Sequence, residues 1–104
     1  MDPLFKPYYA VIFTSKRNKN INGYSEMAEH MEDLAKLQSG YLGIDSCYAE
    51  LGITVSYWKT LEAIKKWKDN FEHQIAQNKG KSEWYRWYNV KVCKVEREYE
   101  FDSK

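Results

Sequence analysis

Residues 52–71, GITVSYWKTLEAIKKWKDNF, read as a buried strand, a tight turn and an amphipathic helix. The strand half, Ile53 to Trp58, is β-branched and aromatic, which suits a pleated, packed surface. Alternation puts Ile53, Val55 and Tyr57 on one face and Thr54, Ser56 and Trp58 on the other. Neither face is charged, so a sheet covered on both sides is expected. Thr60 follows as a helix N-cap, its hydroxyl able to accept from free N–H groups of the first turn. Glu62 then suits the positive end of the helix dipole. Ile64, Trp67, Phe71 and Ile75 form one apolar stripe. The helix is expected to break near Asp69-Asn70 and to resume from Phe71 to Asn78.

Working outward, Tyr8 to Ser15 (YYAVIFTS) is a strand apolar on both faces, and Lys16 to Asn22 a polar loop. Tyr24, Met27, Ala28, Met31, Leu34 and Ala35 repeat on one helical face, with Asn22 or Gly23 as cap and Gly40 as the left-handed stop. His30 falls at the stripe's margin and reads as a surface residue. Tyr41 to Ala49 is a weaker strand in which Gly43 marks a bulge or a close backbone approach. It forms an antiparallel hairpin with the strand from Gly52. Ser82 to Tyr85 reads as one helical turn, and Arg86 to Phe101 as a long strand whose charged end is exposed or crosses to a partner. The order is β-α-β-β-α-β, an α+β ferredoxin-like fold: an antiparallel sheet with both helices on one face. The second sheet face then needs a cover. A second copy, giving a homodimer with a shared α/β barrel, is the expected one.

The chain has 104 residues, one domain's worth. Its net charge of +1 gives no case for nucleic acid or a membrane surface. No apolar run approaches a membrane-spanning length, and Met1 to Lys6 lacks a signal core, so a cytoplasmic protein is expected. Cys47 and Cys93 stand apart and read as reduced, buried thiols. Two His without paired spacing argue against a metal site. Nine Tyr and four Trp are the unusual feature; such residues serve cores, interfaces and flat-ligand pockets.

Tyr41-Leu42-Gly43, the segment Gly52 to Trp58, Leu61-Glu62-Ala63-Ile64 with Trp67, Glu72-His73 and Trp84-Tyr85 together resemble the antibiotic biosynthesis monooxygenase family over about residues 8–99. The resemblance implies a dimeric α/β barrel and one of two chemistries. One branch oxygenates aromatic polyketides without metal or flavin, the deprotonated substrate giving its electrons to O₂. Its cluster is Asn, Trp, Tyr and Arg. Trp67 matches the Trp, His73 stands where a proton-handling Tyr would, Arg86 matches the Arg, and Ala63 occupies the neighbourhood of the Asn. The other branch binds and degrades haem through a strand Asn, a helix Trp and a His ligand. Phe13, Thr14 and Ser15 stand in place of that Asn, and His73 is the downstream His.

The catalytic candidates are therefore His73, Trp67 and Arg86, with Trp58, Trp84, Tyr85 and Tyr57 around a flat aromatic ligand. Core packing competes with a pocket role for Trp67, and simple exposure competes for His73. The leading expectation is a cofactor-independent monooxygenase for a phenolic or quinone-like molecule. A haem protein and a non-catalytic dimeric binding module are the alternatives.

Overall fold

The computed structural model describes residues 6–18, 24–77 and 84–103, excepting the side chains at 24, 27 and 74–77. Six elements follow in order: β1 (Tyr8–Arg17), α1 (Tyr24–Lys36), β2 (Tyr41–Tyr48), β3 (Gly52–Trp58), α2 (Leu61–Gln77) and β4 (Tyr85–Val95). The strands form one antiparallel sheet in the order β2-β3-β1-β4. This is the ferredoxin-like α+β fold expected from the sequence.

Both helices cover one sheet face. Ala35 of α1 and Ala63 and Ile64 of α2 cluster with Trp58, and Tyr9, Val11, Tyr41 and Trp67 pack around them. Trp58 is completely buried. Its indole Nε1 donates to Ser56 Oγ at 2.8 Å, so the polar edge that burial would orphan is satisfied two residues away on the same face.

Local chemistry sets the element boundaries. The Thr60 hydroxyl accepts from the Ala63 N–H at 3.0 Å, the N-cap bond that starts α2. Gly40 has φ +89°, and a Cβ there would stand 2.8 Å from Ala63 Cβ, so the turn into β2 needs glycine for both conformation and space. The β2–β3 register slips between Tyr41 and Gly43, a bulge, the first of the two expectations at that glycine.

Three expectations are corrected. First, α2 runs unbroken from Leu61 to Gln77. Asp69-Asn70 is neither Pro nor Gly, and the Lys68–Glu72 pair (4.0 Å) bridges it at i,i+4. Second, β4 stops at Val95, not Phe101, and already includes Tyr85. Val95 pairs with Tyr8, the first residue of β1, so residues beyond it have no strand to hydrogen-bond; Pro7 could not donate. Third, Cys47 is exposed and Cys93 half-buried, both as free thiols. They lie on the sheet face away from the helices, in register with Ile53 and Ala10 respectively.

Candidate functional site

The helix-facing side of β3 carries Gly52, Thr54 and Ser56 before Trp58. These small residues do not fill the space beneath the helices. A cavity of about 190 Å³ lies there. Its floor is hydroxyl-bearing: Thr54 and Ser56 from β3, Ser46 from β2 and Ser15 from β1 all line it. Ser15 and Ser56 are buried, at 2% and 7% exposure. Tyr48 OH lies 3.2 Å from Thr54 Oγ1 at the same side.

Aromatic residues surround these hydroxyls, from α2 above and from β1 and β4 beside them in the sheet. Trp67 stacks on Trp58 with centroids 5.9 Å apart, and tilts against Phe71 at 6.2 Å. Phe71 meets Phe13 edge-on at 5.6 Å, and Phe13 stacks on Tyr88 at 5.3 Å and meets Tyr85 edge-on at 5.6 Å. Trp84 is buried against Ala28, Phe71 and Tyr85. Met31 and Ala35 of α1 and Ile64 of α2 complete the roof. The charged lining residues are Glu32, Lys68 and Glu72, all from helices. Such a space suits a flat apolar body whose polar edge meets hydroxyls.

The structure brings together only some of the residues singled out from the sequence. Trp67, Trp84 and Tyr85 line the cavity, while Trp58 is buried behind Trp67 and supports it. His73 and Arg86 are exposed and do not line it. An unbroken α2 explains His73: without a kink nothing turns it from the solvent side, and its neighbour Glu72 reaches the cavity instead. Tyr57 lies on the other sheet face with Tyr8, ring centroids 6.0 Å apart. Tyr57 OH donates to Asp45 Oδ2 at 2.8 Å. That bond, then partial burial, raises the Tyr57 phenol above its ordinary value of 10.0. Tyr8 is raised as well, first by burial and then by a hydrogen bond with Glu98.

Sequence reasoning missed the hydroxyl floor and the wall residues Phe13 and Phe71; Tyr88, one of the aromatics expected around a flat cavity, does line it. A signal existed: Gly52, Thr54 and Ser56 are small residues on a strand face already inferred to be covered. Small side chains under a helical layer leave room. Among the described residues no group of three or more His, Cys, Asp and Glu could hold a metal ion. No helix among them is long and apolar enough to cross a membrane.

The fold is that of antibiotic-biosynthesis-monooxygenase-like proteins. SnoaB, a cofactor-independent oxygenase of Streptomyces nogalater (in a variant form), superposes with TM-score 0.71, covering 88% of this chain and 95% of that one at 5% identity. A Nitrosomonas europaea protein assigned as an antibiotic biosynthesis monooxygenase gives TM-score 0.61, 86% and 91% coverage and 11% identity. PA3566 of Pseudomonas aeruginosa gives 0.67, 90% and 97%, and 16%. The chain belongs to the same family as YqjZ of Bacillus subtilis, an uncharacterized protein 50% identical over 99 residues, 93% of this chain and 87% of that one. No family model matches the sequence.

Proposed function

We propose that the chain is a cofactor-independent monooxygenase acting on a small phenolic or quinone-like aromatic held in this cavity. The observation that carries the reading is the cavity itself: aromatic residues around a hydroxyl floor beneath two helices. Similarity in fold to SnoaB, a cofactor-independent oxygenase, supports it. In the reaction a phenol loses its proton, and the electron-rich ring reduces O₂. One oxygen atom bonds to carbon and the other leaves as water, so phenol plus O₂ becomes quinone plus water. The cavity would hold the ring in place, exclude water and leave the phenolate poorly solvated, which favours electron donation. With His73 outside the lining, Glu32 and Glu72 on the helix side take over removal of the proton from the oxygenated ring carbon, across the ring from the phenolic oxygen, in this reading.

The test uses 1-naphthol with an oxygen electrode and isotopically labelled O₂. The reading expects one O₂ consumed and one labelled oxygen in 1,4-naphthoquinone per turnover. His73→Ala should leave the rate unchanged, and Glu32→Gln with Glu72→Gln should lower it at least about tenfold. The exposed position of His73 favours a second reading, a binding module without chemistry. Saturable 1-naphthol binding without oxygen uptake would put that reading first. The haem alternative finds no axial ligand here: neither His30 nor His73 lines the cavity.

The same reading includes a homodimer formed through the sheet face away from the helices. Ile12, Val55 and Tyr57 occupy that face, and Ile53 there is 39% exposed. Tyr99 and Phe101 beyond β4 are 82% and 88% exposed, apolar surface that a second copy would cover. A cytoplasmic location accords with two free thiols.

A further inference from the structure

The cavity lining holds two kinds of side chain: hydroxyls on β2, β3 and the end of β1, and aromatics on β1, β4 and α2, with Phe13 directly beside Thr54 and Tyr88 beside Ser15 in the sheet. Thr54 and Ser56 alternate along β3, with Ser46 opposite Thr54 on β2. Ser15 of β1 is opposite Gly52. A Cβ on Gly52 would approach Ser15 Oγ to 3.1 Å and the Tyr48 ring to 3.2 Å, so the missing side chain keeps this corner open. The aromatics are Phe13, Tyr88, Trp67 and Phe71. No charged residue comes from the floor; the charged lining groups all come from the helices.

Two constraints on the ligand follow. The cavity's 190 Å³ suits an aromatic of one or two rings. For comparison, an apolar cavity of about 150 Å³ accepts benzene. The floor offers hydroxyls that both donate and accept, so it pairs with a hydroxyl or a carbonyl alike, and the charged lining, Glu32 and Glu72 against Lys68, is net negative and disfavours a carboxylate or phosphate. Ser56 Oγ already accepts from Trp58 Nε1, which leaves its own proton to donate.

We propose that the ligand is an uncharged aromatic of one or two rings with oxygen on one edge, and that this edge seats on the Ser15, Thr54 and Ser56 hydroxyls while the rings stack among Trp67, Phe71 and Phe13. The inference rests on the aromatic-cavity reading and adds the ligand's size, charge and orientation. Thr54 and Ser15 are specificity-determining positions. Their removal weakens the binding of an oxygenated aromatic and leaves its hydrocarbon skeleton alone.

Equilibrium dialysis under nitrogen tests this with 1-naphthol, naphthalene and 9-phenanthrol, on the native protein, Thr54→Val and Ser15→Ala. Each variant should weaken 1-naphthol about fivefold, the loss expected for one neutral hydrogen bond. Neither should weaken naphthalene, which also shows that the variants keep their fold. The three-ring 9-phenanthrol should bind at least tenfold more weakly than 1-naphthol. Equal losses for 1-naphthol and naphthalene, or none for either, would overturn the hydroxyl-edge orientation and leave the aromatic cavity standing. Affinity for 9-phenanthrol equal to that for 1-naphthol would overturn the size limit. No saturable binding of any of the three would overturn both the inference and the reading beneath it.

Discussion

Single residues carry identifiable physical burdens here, and two glycines illustrate how the burdens differ. At Gly40 a side chain meets both an unfavourable φ and a 2.8 Å approach to Ala63 Cβ. At Gly52 the conformation is ordinary, and only Ser15 and the Tyr48 ring must give by a few tenths of an ångström. Gly40→Ala should therefore cost at least about 2 kcal/mol in urea denaturation, the left-handed penalty plus the clash, and more than Gly52→Ala. On the outer sheet face, the Tyr57 phenol is held protonated by its bond to Asp45. A raised folded-state value means that this bond's contribution is fully present below pH 10.0 and is lost as pH rises through the folded value. Difference absorbance between the native protein and Tyr57→Phe should place the Tyr57 midpoint above 10.0, and Asp45→Asn should lower it. An unchanged midpoint in Asp45→Asn would contradict the assigned cause.

At the scale of elements, most of the layout was legible. β-Branched alternation marked β1 and β3, a helical stripe marked α1, and Thr60 marked the start of α2 through a bond the structure contains. Thr60→Ala should cost about 1 kcal/mol, read in the same denaturation series. The errors came where non-local pairing decides. β4 was read to Phe101, but β1 begins at Tyr8 and offers nothing to pair with Tyr99 and Phe101. The expected break in α2 came from weak helix formers at Asp69-Asn70, which the buried stripe of Ile64, Trp67 and Phe71 on either side outweighs. That error propagated to the site, because His73 was given a new direction only by the break. Trp67, Trp84 and Tyr85 were found because large aromatics are conspicuous. The hydroxyl floor was not, because an empty space is signalled by what small residues fail to fill.

For the whole molecule, one sheet face is covered by the helices, and on the other Ile53 is 39% exposed. In our reading a second copy covers that other face. Light scattering should give twice the subunit mass at micromolar concentration, and Val55→Asp, placing a charge on that face, should shift the protein toward monomer. A native monomer at that concentration would end the dimer reading. The functional claim is separate, because it lies on the helix side. It is tested most directly by following backbone and indole N–H resonances through a 1-naphthol titration under nitrogen. The account predicts saturable shifts at the indoles of Trp67 and Trp84 and at the amides of Thr54 and Ser56, with Tyr57, His73 and the Trp87 indole unmoved. Shifts confined to the outer sheet face, or none at all, would contradict it.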